Sequence, residues 1–202
     1  MSARIFNDDV MFLQRFLKSG GLYTASLSGV YDSRTDAAMQ VFETEAKNLA
    51  TLFGALDPRS ERNLPSLQLK AQTLARQCLT AIRNDGIDAR LISGTRSFAE
   101  QDVLFRQGRF GNPGPIVTNA RGGQSNHNFG IAWDIGIFRN DGAYLGDSPL
   151  YKKAARIALD LHLAGLEWGG NWTRPDQPHY QLATGLPIGQ VRDKFERGEP
   201  YF

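Results

Sequence analysis

The sequence predicts an α+β fold, in which helices and antiparallel strands alternate without a repeated βαβ unit. Three observations lead to this prediction. Apolar residues recur with helical spacing in several segments, the segment 129–138 alternates as a strand does, and Gly, Pro, Asn and Asp separate these segments. A chain of 202 residues, 41% hydrophobic and 22% charged, has the size and composition of one globular domain, alone or with a small appendage.

The N-terminal segment predicts two short helices around a turn. Asn7 can cap the first helix, and Gly20 and Gly21 end it. The apolar stripe of this helix consists of Val10, Leu13, Phe16 and Leu17. A second helix begins at Asp32 or Ser33, and its apolar face carries Ala37, Ala38, Val41 and Phe42.

The segment 51–65 has the composition of a connector between this helical pair and a longer region of mixed helix and strand. We therefore predict a small helical unit at 1–50, a linker at 51–65 and a main domain at 66–202. A core as small as that of the first unit is only marginally stable alone.

The main domain begins with a helix that Pro65-Ser66 opens and Asn84-Asp85-Gly86 ends. A strand follows from Ile87 to Ile92. The segment Ser97-Phe-Ala-Glu100 is a capping box. It predicts the start of another helix, which ends at Gly108.

A long loop is expected at 108–128, where five glycines and two prolines interrupt any periodicity. Loops of this length in a compact domain are usually functional or disordered. Phe129–Phe138 is the clearest strand of the chain. A helix from Ser148 to Gly165 and a final helix near 188–197 complete the predicted elements.

Charge and composition exclude several classes of protein. With 23 basic and 21 acidic residues the formal charge is +2, and there is no basic stripe, so nucleic acid is not expected as a partner. No apolar run approaches the length of about 18 residues that a membrane helix needs, and the first residues lack the apolar stretch of a secretory signal. We expect a monomeric protein that is made in the cytoplasm and is not anchored to a membrane.

Cys78 is the single cysteine. One thiol cannot form an internal disulfide or build a thiolate metal site, and its helical neighbours predict a small buried residue. Any metal in this protein must therefore be held by histidines and carboxylates.

His127 and Asp134 flank the start of the clearest strand. Alternation places one set of residues on the apolar face: Phe129, Ile131, Trp133, Ile135 and Ile137. The other face carries Asp134 among the small residues Gly130, Ala132 and Gly136. A carboxylate on so bare a face is either exposed to solvent or lines a cleft with room for a metal and a ligand.

Asp176 and His179 form a second pair, and Pro178 restricts the backbone between them. This spacing lets one side chain bind a metal while the other reaches a metal-bound water. A catalytic zinc needs three protein ligands and an open position, and a nearby carboxylate can accept a proton from the water. The alternative is that these histidines and aspartates are ordinary surface groups. His162 lies outside both pairs and is predicted to be a structural or surface residue on a helix.

The pattern Ser125-x-His127-x-x-Gly130-x-Ala132-x-Asp134, followed by Asp176-x-x-His179, resembles a family of zinc peptidases. This family includes D-Ala-D-Ala carboxypeptidases, D-Ala-D-Ala dipeptidases and phage L-alanyl-D-glutamate endopeptidases. The segment Trp168-Gly-Gly-Asn-Trp172 and the Asp-x-Pro-His ending are most similar to the phage endolysins. The resemblance extends over residues 66–202.

The resemblance implies a role for each matched residue. The implied zinc ligands are His127, Asp134 and His179. Asp176 would be the catalytic base, although some relatives carry Glu there. Ser93-Gly-Thr-Arg96-Ser97 matches a further family segment, so Arg96 would point into the cleft and steady an oxyanion or a substrate carboxylate; its alternative is a surface position near a helix start. Gln101 and Ser125 are weaker candidates for contact with substrate.

The segment 5–46 has a resemblance of its own. It carries Leu13-Gln14-x-x-Leu17, Gly21-x-Tyr23, Gly29-x-Tyr31-Asp32-x-x-Thr35 and Ala38-x-x-x-Phe42, which resemble a three-helix peptidoglycan-binding module. The segment is shorter than the usual module and has Glu43 where Gln is common. The alternative is a helical pair that packs on the main domain.

By resemblance, the function is that of an endolysin-like endopeptidase that hydrolyses the L-Ala–D-Glu bond of peptidoglycan stem peptides after release from the cytoplasm. A D,D-carboxypeptidase that removes the terminal D-Ala is the alternative among enzymes. A third hypothesis is a wall-binding protein with a structural zinc site. Against it, structural sites usually close with four protein ligands, whereas this chain offers three and an unused acid.

Overall fold

The computed structural model describes residues 10–202. Its helices are α1 (Val10–Ser19), α2 (Ser33–Phe53), α3 (Pro58–Asn63), α4 (Leu69–Asn84), α5 (Phe98–Arg106), α6 (Leu150–Leu159) and α7 (Ile188–Arg197). Its strands are β1 (Asp88–Ser93), β2 (Ala132–Phe138), β3 (Leu166–Trp168) and β4 (His179–Leu182). Short 3-10 helices lie at Leu64–Ser66, Asn126–Phe129 and Gly169–Asn171. The predicted α+β class is confirmed.

The strands form one antiparallel sheet in the order β1-β2-β4-β3. Asp134 of β2 pairs with His179 of β4 on one side and with Ser93 of β1 on the other. Residues directly opposite each other in an antiparallel pair point to the same face. The register therefore places a carboxylate and an imidazole side by side.

The strand predicted at Phe129–Phe138 begins three residues later, at Ala132. Residues 126–129 instead form a 3-10 helix that ends at Gly130, whose φ is +72°. A Cβ at this position would lie 2.4 Å from the Phe16 ring. Glycine is needed here both for the left-handed backbone and for the close approach of α1. The alternation of apolar residues continues across this turn, so the sequence pattern does not predict it.

Two helices begin where capping residues predict them. Asp32 caps α2 by accepting a hydrogen bond from the Thr35 amide, and the capping box of Ser97 and Glu100 begins α5. These caps are local, because each joins residues three apart. The predicted cap Asn7 lies outside the described residues.

Several helices differ in extent from their predictions. α4 begins at Leu69, after the 3-10 helix at Leu64–Ser66, instead of at Pro65-Ser66. α6 ends at Leu159 instead of Gly165, so His162 lies in a turn, exposed and with a φ of +51°. It is a surface residue, as predicted, but not a helical one. α2 continues to Phe53, and Val41 on it is exposed although the sequence places it on the apolar face.

One hydrophobic core contains residues of the N-terminal helices and of the sheet. The ring of Phe12 on α1 lies 5.0 Å from that of Phe195 on α7, and Phe16 lies 5.5 Å from Phe42 on α2. Cys78 is buried on α4, as predicted. None of the helices given above combines the length and the apolarity needed to cross a bilayer.

The predicted linker at 51–65 contains the end of α2 and the whole of α3. Ser60 of α3 is buried and accepts a hydrogen bond from the Leu91 amide of β1 (2.8 Å). Glu61 makes a two-bond ion pair with Arg76 of α4, each bond 2.8 Å long. The segment is therefore packed against the sheet domain, while the division at residues 50 and 65 stays a prediction.

Candidate metal centre

Three side chains from the sequence motifs converge in the structure. His127 lies in the 3-10 helix before β2, Asp134 in β2 and His179 at the start of β4. His127 Nε2 is 3.2 Å from Asp134 Oδ1 and 3.3 Å from His179 Nδ1, and His179 Nδ1 is 3.3 Å from the same carboxylate oxygen. The predicted ligands thus present a nearly equilateral triangle of donor atoms.

This triangle fits a tetrahedral metal ion. Nitrogen and oxygen ligands at about 2.0–2.1 Å from such an ion lie about 3.3–3.4 Å from one another, which matches the measured edges. Within residues 10–202, no fourth His, Cys, Asp or Glu joins the group. The arrangement therefore leaves a coordination position for water or substrate.

Each imidazole is oriented through its second nitrogen. His127 Nδ1 lies 2.7 Å from the Gly94 carbonyl oxygen, which only accepts, so Nδ1 carries the proton. His179 Nε2 lies 3.1 Å from Gln181 Oε1, to which it donates. These outer bonds leave His127 Nε2 and His179 Nδ1 with lone pairs toward the triangle, as metal ligation requires.

Burial and charge set the protonation of the three groups. Burial lowers the pKa of His127. Burial acts in the same direction on His179, but the hydrogen bond and charge of Asp134 outweigh it and raise the pKa of His179. Burial also disfavours a charge on Asp134, but the two histidines outweigh it and hold the pKa of its carboxyl well below the usual range. In the metal-free centre Asp134 is ionised, and a proton binds His179 in preference to His127.

Arg96 contacts the second oxygen of Asp134. Its Nη2 donates to Asp134 Oδ2 over 2.5 Å and to Ser93 Oγ over 2.8 Å. Asp134 therefore directs Oδ1 at the triangle and Oδ2 at the guanidinium, and charge-assisted bonds of this kind fix the orientation of a carboxylate. The sequence places Arg96 in the cleft, free to meet substrate. In the structure its guanidinium contacts Asp134, one of the predicted metal ligands, and its contact with an oxyanion or a substrate carboxylate stays a prediction.

Gln101 lies behind Arg96 and not on the wall of an open cleft. Its side chain is fully buried. It accepts from Arg96 Nη1 (3.3 Å) and donates to the Ala120 carbonyl (3.0 Å) and to Thr118 Oγ1 (3.3 Å). The expected contact with substrate does not fit this position. Gln101 instead ties Arg96 to the loop that leads to His127.

Ser125 is half-buried two residues before His127. It precedes the 3-10 helix, but its side chain makes no capping hydrogen bond there. The hydroxyl is thus not used by the helix, and its contact with substrate stays a prediction.

Asp176 is an exposed residue that lies close enough to the centre for its carboxyl to interact with the charges of Asp134 and the two histidines. Its amide donates to the Gly169 carbonyl (3.0 Å), and its carbonyl accepts from the His179 amide (3.3 Å). Partial removal from water raises the pKa of its carboxyl, and the negative charge of Asp134 raises it further. A carboxylate with a raised pKa is suited to accept and return a proton.

The Gly-Gly pair after Trp168 makes the turn to Asp176 possible. A Cβ on Gly170 would lie 2.1 Å from the Trp168 ring, and one on Gly169 would lie 2.8 Å from the Asp176 carbonyl oxygen. Trp168 in turn donates through Nε1 to the Gln177 carbonyl (2.8 Å). The two glycines after Trp168 are thus needed for the close packing that positions the segment with Asp176.

The small residues of β2 leave less open space than the sequence predicts. A Cβ on Gly136 would lie 2.8 Å from Ile92 Cγ2 and 3.1 Å from the Tyr144 ring, so these side chains cover the sheet there. Gly130 lies before the strand. The relative exposure of the Asp134 side chain is 17%, so this carboxylate can still be reached from solvent.

The groups that hold the ligands in place were not predicted from the sequence. The role of the Gly94 carbonyl cannot be recognised in the sequence, because every residue has a main-chain carbonyl. Gln181 does leave a signal, since a residue two positions after His179 in a strand shares its face. Glu167, which binds Gln181, is hidden because only the pairing of β3 with β4 brings it close.

Comparison with known proteins agrees with the motifs. Residues 118–182 match a peptidase family model described as D-alanyl-D-alanine carboxypeptidase. The chain is 41% identical over 112 residues to the peptidoglycan L-alanyl-D-glutamate endopeptidase CwlK of Bacillus subtilis (strain 168). That match covers 50% of this chain and 65% of the relative. The segment 118–182 contains the three ligands and Asp176, whereas Arg96 precedes it.

Proposed function

We propose that this protein is a zinc peptidase that hydrolyses the L-Ala–D-Glu bond of peptidoglycan stem peptides. The observation that carries the proposal is the triangle of His127, Asp134 and His179, with edges of 3.2, 3.3 and 3.3 Å, beside the exposed carboxyl of Asp176. The relative that is 41% identical is named as an endopeptidase for the same bond.

Zinc is the metal that suits this donor set. Catalytic zinc sites combine three histidine or carboxylate ligands with one open position. When bound, zinc would polarise the scissile carbonyl and acidify a water molecule. No thiolate competes for this role, since Cys78 is buried elsewhere on α4.

The side chains of the protein supply the other functions. The outer hydrogen bonds of His127 and His179 keep both rings in place, so neither has to reorient when substrate binds. Asp176 accepts the proton of the attacking water and returns it to the leaving amine. Arg96 donates to Asp134 Oδ2 and so keeps the carboxylate oriented. Its permanent charge lies next to the centre and would stabilise the negative charge that develops on the carbonyl oxygen.

We further propose an endolysin-like, bacteriolytic role, in which the protein is made in the cytoplasm and acts on the cell wall after release. The segment Trp168–Trp172 and the N-terminal motif at 5–46 support this role by resemblance. In this proposal the N-terminal helices bind peptidoglycan, and the protein acts as a monomer.

Digestion of purified peptidoglycan tests the reaction. Mass spectrometry of the released muropeptides should find a new amino terminus at D-Glu. Treatment with a chelator should abolish the release and added zinc should restore it. Full activity after complete removal of the metal would contradict the zinc mechanism.

A D,D-carboxypeptidase is the second candidate, because the matched family model carries that description. It would release free D-Ala and leave the L-Ala–D-Glu bond intact, so the same digest separates the two reactions. A wall-binding protein with a structural metal would sediment with peptidoglycan and release no product. The three-ligand centre argues against that role, since structural sites usually close with four protein ligands.

A further inference from the structure

A chain of hydrogen bonds leads away from the metal centre across the sheet. His179 Nε2 lies 3.1 Å from Gln181 Oε1, and Gln181 Nε2 donates to Glu167 Oε2 over 2.8 Å. The other oxygen of Glu167 accepts from Trp172 Nε1 over 2.6 Å. The Trp172 ring also lies 4.9 Å from the His179 ring, so the chain of bonds returns to the imidazole where it began.

The strand register explains why these side chains meet. His179 and Gln181 are two residues apart on β4 and share one face. Glu167 of β3 pairs directly with Gln181, and directly opposite residues also share a face. The sheet therefore aligns a carboxylate, an amide and an imidazole in one row beside the centre.

The carboxylate of Glu167 determines which end of the Gln181 amide faces His179. A glutamine amide can present either its oxygen or its nitrogen to a neighbour, because both ends have the same shape. A carboxylate accepts and cannot donate, so Glu167 binds the NH2 end of Gln181. The amide oxygen must then face His179, whose Nε2 must carry the proton.

Asn126 does not determine the orientation of the Gln181 amide by itself. Its Nδ2 donates to Gln181 Oε1 over 2.8 Å, but its own Oδ1 is buried without a hydrogen-bond partner. The Asn126 amide can therefore turn over together with that of Gln181. Glu167 cannot do so, since both of its oxygens are acceptors.

We propose that Glu167 is a positioning residue for the metal centre. Through Gln181 it selects the tautomer of His179 that carries its proton on Nε2 and keeps Nδ1 free for the metal. The proposal depends on the proposed function only in taking the centre as a zinc site. Outer hydrogen bonds of this kind alter metal affinity by about ten- to a hundredfold.

The test is zinc affinity, measured by competition with a chromophoric chelator, so that it does not depend on activity. In Glu167→Gln the amide oxygen accepts from Trp172 Nε1, which can only donate, so the new NH2 group faces Gln181 and turns its amide over. The NH2 end of Gln181 then faces His179 Nε2 and no longer selects the tautomer that is protonated there. We expect zinc to bind about ten- to a hundredfold more weakly. Glu199→Gln is the matched control, because it makes the same exchange in a surface carboxylate paired with Arg197, and its affinity should be unchanged.

A double variant shows whether Glu167 acts by orienting the hydrogen bonds of Gln181 or only by packing against it. In Glu167→Gln with Gln181→Glu the carboxylate moves next to His179, accepts from Nε2 directly and accepts from the amide at position 167. Most of the lost affinity should return. A double variant as weak as the single one would mean that Glu167 acts only through packing and would overturn the proposal.

A second single change covers the case in which Glu167→Gln does not fold. Gln181→Met keeps the length of the side chain but cannot accept from Nε2, so it should lose affinity to the same degree. Unchanged affinity in Gln181→Met or in a folded Glu167→Gln would overturn this inference and leave the zinc centre intact. Failure of the unaltered protein to bind zinc would overturn the inference and the proposed function together.

Discussion

The two histidines of the metal centre are held by different kinds of partner. His127 donates to the main-chain carbonyl of Gly94 (2.7 Å), whereas His179 donates to the side chain of Gln181 (3.1 Å). No side-chain substitution deletes a main-chain acceptor, but a single change can delete a side-chain one. One side of the centre is therefore fixed by the fold, and the other is open to adjustment by mutation.

The two histidines also differ in proton affinity. Burial lowers the pKa of His127, whereas contact with Asp134 outweighs burial and raises the pKa of His179. The ring that is held by the backbone is thus ready to bind a metal over a wider pH range. The ring that is held by side chains must first lose a proton.

Removal of either ligand is expected to have the largest effect. His127→Ala and His179→Ala each leave two protein ligands, and two ligands do not make a catalytic zinc site. Both variants should lose detectable zinc binding and peptidoglycan hydrolysis, although their outer partners differ. Equilibrium dialysis with metal analysis measures the binding. Stoichiometric zinc in either variant would mean that its side of the centre is dispensable.

Removal of the Asp176 carboxyl should reduce the rate of hydrolysis without reducing zinc binding by either histidine. Asp176→Ala removes the proton acceptor but none of the triangle, so activity should fall by about 10²- to 10⁴-fold. Zinc content and thermal stability should stay those of the unaltered protein. Muropeptide release per bound zinc gives the comparison, and an active, zinc-loaded variant would assign the base to another group.

The difference in proton affinity predicts a smaller effect that depends on pH. The pKa of His179 is raised above its ordinary value of about 6.5, so zinc must displace a proton from this ring wherever the pH lies below the raised pKa. Below that pKa, zinc affinity should fall about tenfold for each pH unit, because the ligand must be deprotonated. His127, with its lowered pKa, should contribute nothing there.

Calorimetry in buffers of different ionisation enthalpy measures this proton release. We expect about one proton per zinc at a pH between the lowered pKa of His127 and the raised pKa of His179. Release of about two protons would mean that His127 and His179 titrate alike. The two histidines would then differ in their hydrogen-bond partners but not in their protonation.

The smallest effect is expected at the third histidine. His162 is exposed in a turn with a φ of +51°, and Asn tolerates this left-handed backbone. His162→Asn should leave zinc binding and hydrolysis unchanged and alter the free energy of unfolding by no more than about 0.5 kcal/mol. A loss of zinc in this variant would contradict the assignment of the centre to the other two histidines.

Local signals predicted much of the fold. The capping box at Ser97 and the cap at Asp32 begin helices where expected, because a cap depends on residues only three apart. The final helix at 188–197 was also predicted with its bounds. The turn at Gly130 was missed, because packing against α1 overrides an alternation that otherwise indicates a strand.

The candidate ligands could be recognised because they lie in two short motifs that resemble those of a zinc peptidase family. His127 and Asp134 are seven residues apart, and Asp176 and His179 are three apart. What Arg96 and Gln101 contact could not be read in this way. Arg96 meets Asp134, 38 residues away, and Gln101 is buried between Arg96 and a distant loop.

The sequence by itself determined the fold class and the starts of α2 and α5, since these follow from residue type and short-range spacing. It also supplied the candidate ligands, through two motifs that resemble those of a zinc peptidase family. Only the tertiary structure decided which groups orient those ligands. The Gly94 carbonyl and the row of Gln181 and Glu167 reach the centre through strand pairing and long-range contacts. Such pairing depends on the register of the whole sheet, which no local pattern specifies.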